Sequence, residues 1–231
     1  MDRRINRDTA VPVFPEFHAY RAAREADRRL AFYYRAKRMM DIAGALLGLI
    51  LFAPLFVIVA ILIKLESPRG PVFFRQTRIG KDGKPFLMYK FRSMVPDAEA
   101  KLPELLSRNE IEGAMFKIKD DPRITRVGRI IRKTSIDELP QLINVLKGEM
   151  SLVGPRPPLP SEVEQYTEYD KLRLTVPGGC TGLWQVSGRN RLNFRQMVEL
   201  DLEYIRNQSI AQDLKIIFKT FKLLLGAKDA Y

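Results

Sequence analysis

Two adjacent carboxylates among basic side chains form the part of this 231-residue chain best suited to chemistry. Asp137 and Glu138 follow Arg132 in the sequence and precede Arg156. Nearby positive charge favours the ionised form of a carboxylate, which a nucleophile or a metal ligand needs. Carboxylates beside arginines also suit Mg²⁺ and a diphosphate, because Mg²⁺ binds proteins through one or two carboxylates together with substrate phosphates. Phosphate chemistry is therefore one interpretation of this segment.

The same segment also fits a purely structural interpretation. Ser135 and Glu138 have the spacing of a capping box, and they stand just before the helical-looking run LPQLINVLK. Acidic residues such as Asp137 are favoured in the first turn of a helix. Taken alone, the segment leaves open whether the two carboxylates act in chemistry or cap a helix.

Composition limits the other kinds of chemistry. The formal net charge is +12 and the pI is about 9.9, which favours an anionic partner. The single cysteine, Cys180, excludes an intrachain disulfide and a multi-cysteine zinc site. The single histidine, His18, lies in a basic N-terminal stretch, so no triad with a histidine base is expected. Acid, base or nucleophile roles therefore fall to carboxylates, lysine or tyrosine.

An uncharged apolar segment covers residues 42–63 and would measure about 33 Å as a straight helix, enough to cross a bilayer core. Pro54 near its middle predicts a kink or a break. Both flanks are basic, and basic flanks favour the cytoplasmic side. A re-entrant hairpin satisfies both flanks at once. A single-span anchor with an outside domain is the alternative.

Shorter patterns predict the remaining elements. Apolar runs on either side of Lys81-Asp82-Gly83 predict a β-hairpin, and residues 97–112 predict a polar helix interrupted at Pro103. The run ITRVGRIIRK from Ile124 and the run DLKIIFKTFKLLL at 213–225 predict amphipathic helices with basic faces. Each of these two helices fits either a membrane surface or ordinary packing on a core.

Together these segments resemble a known family, the bacterial sugar transferases, also called monotopic phosphoglycosyl transferases. The resemblance runs from about Arg38 to the C-terminus and includes the apolar segment. Four further signatures appear in order: YKFRSM (89–94), RKTSIDELPQLINVLKGEMSLVGPRP (132–157), PGGCTGLWQVSGRN (177–190) and DLKIIFKT (213–220). One departure stands at the kink, where family members often carry Ser-Pro and this chain has Ala53-Pro54.

The resemblance implies a two-step transfer of a sugar-1-phosphate from a UDP-sugar to undecaprenyl phosphate, with release of UMP. Asp137 would attack the β-phosphate and carry an acyl-phosphate sugar intermediate, and Glu138 would help to hold Mg²⁺. The resemblance favours galactose or glucose, while N-acetylated and diamino sugars stay open. Phosphate, nucleotide or sugar contacts are implied for Lys90, Arg92, Arg132, Arg156, Gln185, Arg189 and Asn190. For Lys90 and Arg92 the alternative is the solvated face of a strand. For Gln185, Arg189 and Asn190 the alternative is a structural loop.

The expected fold is mainly α with a small β-hairpin. A re-entrant membrane helix-break-helix and interfacial amphipathic helices would surround a catalytic domain on the cytoplasmic face of the bacterial plasma membrane. The predicted organisation is a flexible basic extension (1–35), the re-entrant hairpin kinked at Pro54 (36–66) and the catalytic domain (67–231).

The expected partners are the UDP-sugar, undecaprenyl phosphate and anionic membrane lipids. Nucleic acid is not expected, because no recognised nucleic-acid-binding module accompanies the positive charge. Self-association is left open. A non-enzymatic basic membrane adaptor is the alternative function.

Overall fold

The computed structural model describes residues 28–105, 118, 120–188 and 192–225. Within them the chain is mainly helical with a small antiparallel hairpin, so the predicted fold class is confirmed. The strands are β1 (Phe73–Ile79), β2 (Pro85–Phe91), β3 (Ser151–Val153) and β4 (Gly179–Thr181). The α-helices are α1 (Arg28–Leu51), α2 (Ala53–Glu66), α3 (Leu102–Leu105), α4 (Arg126–Lys133), α5 (Gln141–Lys147), α6 (Pro160–Val163), α7 (Glu168–Lys171), α8 (Leu183–Ser187), α9 (Phe194–Arg206) and α10 (Ile210–Leu225).

The apolar segment forms two helices that meet at Phe52 with a bend of 59°. Pro54 lies in the first turn of α2, where a missing N–H costs no hydrogen bond and the preceding helix must end. Within the described ranges no single helix is long and apolar enough to cross a membrane, whereas this bent pair together has the required length and composition. Ala53-Pro54 therefore bends the segment as predicted. Many of its large apolar side chains are exposed, including Leu47, Ile50, Leu51, Val57, Ile58, Ile61 and Leu65.

The polar half of α1 is docked into the rest of the protein by buried charges. Lys37 Nζ donates to Asp213 Oδ2 on α10 at 2.9 Å, and their side chains are only 4% and 0% exposed. Asp41 Oδ1 accepts hydrogen bonds from Ser151 Oγ and Leu152 N in β3. A charge is tolerated in a core only when it is paired or hydrogen-bonded, so these contacts determine where α1 sits.

The predicted hairpin is confirmed. Strands β1 and β2 pair antiparallel from Phe73 opposite Phe91 to Ile79 opposite Pro85. A short 3₁₀ turn, Lys81–Gly83, connects them. The polar helix predicted over 97–112 differs from the structure: residues 97–101 form turns, and residues 106–112 lie outside the described part. Pro103 falls in the first turn of α3, where proline is tolerated, and therefore starts a helix instead of interrupting one.

Helix α2 packs directly against α4. Val59 and Ile63 of α2 are buried against Ile131 of α4. The carboxylate of Glu66, the last residue of α2, accepts hydrogen bonds from Arg126 N (2.7 Å) and Val127 N (3.1 Å). These N–H groups at the start of α4 have no partner within their own helix, so Glu66 acts as a cap supplied from sixty residues away.

The sequence of helix α10 left open whether it packs on a core or presents an apolar face outward, and the helix does both. Asp213 and Ile216 are buried in the core. Leu214, Phe218 and Phe221, spaced like neighbours on one helix face, are 53%, 72% and 55% exposed. One face of α10 therefore packs on the protein and another presents apolar side chains outward.

Asn144 joins the hairpin to α5. Its side-chain oxygen accepts from Tyr89 N, and its amide donates to Leu87 O and to Glu149 Oε2. Asn144 is fully buried, so each of these groups depends on it for a partner. Asn144 therefore fastens the backbone of strand β2 to helix α5, in addition to the packing of Phe86 and Met88 with Val145.

We predict that Asn144→Ala lowers the free energy of unfolding by about 2–3 kcal/mol, because buried backbone groups of Leu87 and Tyr89 lose their partner. Thermal or chemical unfolding in detergent micelles measures the change. Asn207→Ala is the matched control, since Asn207 donates to Glu203 O only at an exposed site. Equal stability of the two variants would contradict the assignment.

Candidate active site

Asp137 and Glu138 lie in a 3₁₀ turn, Ile136–Glu138, between α4 and α5. Ser135, just before it, has a left-handed backbone with a φ of 56°, and within the described part its side chain forms no cap hydrogen bond. Helix α5 starts only at Gln141. The capping-box interpretation is therefore wrong, because the Glu138 carboxylate faces strand β2 instead of the Ser135 N–H. A non-glycine residue with positive φ costs energy and is often found at functional sites.

Glu138 is held by two cations from different segments. Lys90 Nζ of β2 donates to Glu138 Oε1 at 2.7 Å. Arg156 Nη1, in the loop after β3, lies 3.8 Å from the same oxygen. Burial alone would raise the pKa of Glu138, but Lys90 and Arg156 outweigh it and hold the pKa well below its usual range. Glu138 is therefore ionised throughout the physiological pH range.

Asp137 is in the opposite electrostatic situation. Its side chain is buried, at 7% exposure. Burial and the negative charge of Glu138 raise its pKa to about 6, against the opposing influence of Lys90, Arg132 and Arg156. At neutral pH Asp137 is still mostly ionised, as a carboxylate nucleophile must be. Two neighbouring carboxylates whose environments separate their pKa values are typical of a catalytic pair with distinct roles.

A small cavity of about 10 Å³, room for about one water molecule, lies beside Glu138. It is far smaller than the 300–1,000 Å³ typical of ligand pockets, so it is not a preformed pocket for a nucleotide sugar. Met88, Pro157 and Cys180 form part of its apolar wall. Its polar lining consists of Lys90, Glu138, Gln141, Arg156 and Gln185.

The structure brings together most of the predicted site residues. Lys90, Glu138, Arg156 and Gln185 line the cavity, and Arg132 lies near enough to Asp137 to lower its pKa. Each remains a predicted ligand contact. Arg189 and Asn190 lie outside the described residues.

Arg92 is placed elsewhere. Its guanidinium donates to Ser67 O at 2.8 Å, in the turn that follows α2. It also lies against Gly70 so closely that a Cβ there would overlap it. Burial lowers the pKa of Arg92, partly offset by the nearby Glu66. The structure therefore connects Arg92 to the end of the bent helix pair α1–α2, and its phosphate contact stays a prediction.

Two further residues were missed by sequence reasoning. Gln141 lines the cavity from the first turn of α5. A signal for it existed, because it follows the carboxylates within the same signature. Arg78 is a buried arginine whose Nη1 donates to Pro157 O. A single arginine in a strand gives no sequence signal of burial, since it normally lies on a solvated face.

The donor set agrees with Mg²⁺ bound together with a substrate. Among the described residues no three His, Cys, Asp or Glu side chains cluster as a metal cage. Mg²⁺ typically uses one or two carboxylates and completes its shell with phosphates and water. Glu138, which lies beside the cavity and is ionised at neutral pH, fits that mode.

Comparison with known proteins decides the family. The model of the bacterial sugar transferase family matches residues 32–227. The chain belongs to this family. Membership, predicted from the signatures, is thus confirmed.

Three relatives illustrate the similarity. The galactosyl transferase CpsE of Streptococcus agalactiae is 51% identical over 199 residues, which cover 84% of this chain and 43% of the relative. The UDP-glucose:undecaprenyl-phosphate glucose-1-phosphate transferase of Escherichia coli is 44% identical over 203 residues, covering 84% and 41%. The exopolysaccharide production protein ExoY of Rhizobium meliloti is 42% identical over 200 residues, covering 85% and 88%. The chain spans less than half the length of the first two and most of the third.

We predict that Lys90→Met raises the pKa of Asp137 by about one pH unit or more, because it removes an opposing charge from the carboxylate pair. NMR titration of ¹³C-labelled aspartate carboxyls in micelles measures the change, and Asp137→Asn assigns the signal. Lys101→Met is the matched control, since Lys101 pairs with Asp97 on the exposed surface. An unmoved Asp137 titration in Lys90→Met would refute the electrostatic coupling.

Proposed function

We propose that this sugar transferase moves a sugar-1-phosphate from a UDP-sugar to undecaprenyl phosphate and releases UMP. The observation that carries the proposal is the buried Asp137 beside an ionised Glu138, with Lys90 and Arg156 at one small cavity. Anionic substrates need such cations, and a covalent route needs such a carboxylate. The name of the Escherichia coli relative states the same class of reaction.

The first step forms a bond between an Asp137 carboxylate oxygen and the β-phosphorus of the UDP-sugar. The bond from that phosphorus to the UMP oxygen breaks, and UMP leaves with the electron pair. In the second step a phosphate oxygen of undecaprenyl phosphate attacks the same phosphorus. The bond to Asp137 then breaks, which restores the carboxylate and yields undecaprenyl diphosphosugar.

Cationic side chains of the protein stabilise the negative charge of the phosphate groups in these steps. Lys90 and Arg156 lie at the cavity, where they can bind phosphate oxygens while Glu138 holds them in place. Arg132 favours the ionised form of Asp137 before the attack. Bound at Glu138, Mg²⁺ would neutralise the diphosphate and the departing UMP.

The reaction requires a location between water and lipid, because one substrate is soluble and the other is embedded in the bilayer. We propose that the bent pair α1–α2 enters the cytoplasmic leaflet of the bacterial plasma membrane and returns to the same side. Its basic flanks and its 59° bend support this. The exposed apolar residues Leu214, Phe218 and Phe221 of α10, with lysines beside them, suit contact with anionic lipids.

For the sugar we propose galactose or glucose, which are the sugars in the names of two relatives. The name of the Rhizobium meliloti relative, which the chain matches over most of its length, supports a place in exopolysaccharide production. Assays with a panel of UDP-sugars distinguish the candidates.

We predict that Asp137→Asn abolishes UMP release from UDP-galactose or UDP-glucose in the presence of undecaprenyl phosphate and Mg²⁺, since the amide cannot form the acyl phosphate. A coupled UMP assay measures it, and trapping of radiolabelled sugar phosphate on wild-type protein tests the intermediate. Asp97→Asn, at an exposed surface carboxylate, is expected to retain activity. Normal turnover by folded Asp137→Asn would exclude the covalent mechanism. A wild-type protein that binds anionic vesicles without any UMP release would favour the membrane adaptor.

We predict that a cysteine introduced as Lys84→Cys, with Cys180→Ser to remove the native thiol, is protected from an impermeant maleimide in intact cells. Lys84 is exposed at the hairpin turn, so lysed cells provide the positive control. The re-entrant arrangement keeps this turn in the cytoplasm, whereas a single-span anchor would place it outside. Labelling in intact cells would therefore reject the re-entrant arrangement.

A further inference from the structure

The loop that carries Arg156 depends on hydrogen-bond donors from outside itself. Three of its residues, Pro155, Pro157 and Pro158, have no N–H, so they can only accept hydrogen bonds. Gly179 N of β4 donates to Pro155 O at 2.8 Å on one side. The position of the loop is therefore determined by the N–H groups of other segments that donate to its carbonyls.

Strand β1 supplies the donors on the other side. Ile79 N donates to Pro158 O at 2.9 Å. Arg78 Nη1 donates to Pro157 O at 3.1 Å, while its Nη2 donates to Gln76 Oε1 at 2.8 Å. The arginine is thus oriented by its own strand and holds the carbonyl next to Arg156.

Arg78 itself is inaccessible. Only 6% of it is exposed, and the cavity beside the carboxylate pair is lined instead by Arg156 and Pro157. Burial and the nearby Arg156 lower the pKa of Arg78 to about 10, so it stays cationic at neutral pH. Such a residue acts on the site through its neighbours and not by touching a ligand.

We propose that Arg78 is a positioning residue that holds the 154–158 loop so that the Arg156 guanidinium faces Glu138 and the diphosphate of the bound nucleotide sugar. The loop is held by Gly179 N on one side and by strand β1 on the other. Its Arg156 side chain is directed at the carboxylate pair, with Nη1 lying 3.8 Å from Glu138 Oε1. This inference rests on the proposed function and goes beyond it, because it makes Arg78, a buried residue of the hairpin, responsible for the orientation of Arg156.

The test is a double-mutant cycle on UMP release. Arg78→Met is expected to lower kcat/KM for the UDP-sugar by about 10- to 100-fold, the loss typical of a displaced catalytic group. Arg156→Met alone is expected to lose activity, and adding Arg78→Met to it is expected to cause no further loss. Arg75→Met is the matched control, because Arg75 is an exposed arginine of the same strand, and it is expected to keep wild-type kcat/KM.

Arg78→Lys guards against a misfolded methionine variant. Lysine keeps the buried charge on a single donor nitrogen but cannot reach both Pro157 O and Gln76 Oε1 as the planar guanidinium does, so partial recovery of activity is expected. Multiplicative losses in the double variant, or equal activity of Arg78→Met and Arg75→Met, would overturn the inference while leaving the proposed function intact. Absence of UMP release by the wild type would overturn the proposed function and this inference with it.

Discussion

The ion pair between Lys90 and Glu138 is the interaction on which the site depends. Two adjacent carboxylates in a half-buried turn would repel each other and take up a proton if no cation were near. Lys90 keeps Glu138 ionised, and Asp137 takes the raised pKa. Lys90 belongs to the hairpin and the carboxylates belong to the turn after α4. The difference between the two carboxylate pKa values therefore exists only while the hairpin and the turn keep their relative position. Asn144 helps to keep that position by binding the backbone of β2 from within α5.

The site itself is built from short and irregular pieces, which have little stability of their own. The carboxylate turn has three residues, and β3 and β4 have three each. Side chains from longer elements therefore fasten them. Arg38 of α1 donates to Val145 O and Leu146 O in the last turn of α5, where carbonyls have no full set of partners within the helix. Asp41 of α1 accepts a hydrogen bond from Leu152 N in β3, so the bent helix pair α1–α2 is an integral part of the fold.

Much of this arrangement could be predicted because its signals are local. Pro54 within an apolar segment indicates a bend wherever the segment lies, and the turn residues around Gly83 indicate a hairpin. The positions of two arginines, Arg78 and Arg92, could not be predicted in this way. Arg92 is directed to Ser67 O, and Arg78 is buried against Pro157, because tertiary packing brings distant carbonyls to them. Ser135 shows the same limit, since its sequence context matches a capping box while its backbone is left-handed.

The bent helix pair α1–α2 also positions the turn that carries Asp137. Val59 and Ile63 pack against Ile131 of α4, and Ile136, the residue before Asp137, contacts the same cluster. Glu66 provides a second connection between the two helices, because its carboxylate at the end of α2 caps the start of α4. A shift of α2 would therefore carry Asp137 with it, because side chains in a close-packed core move together. Under the proposed function, in which a soluble donor reacts with a lipid phosphate, this coupling would keep Asp137 at the depth of the acceptor's headgroup.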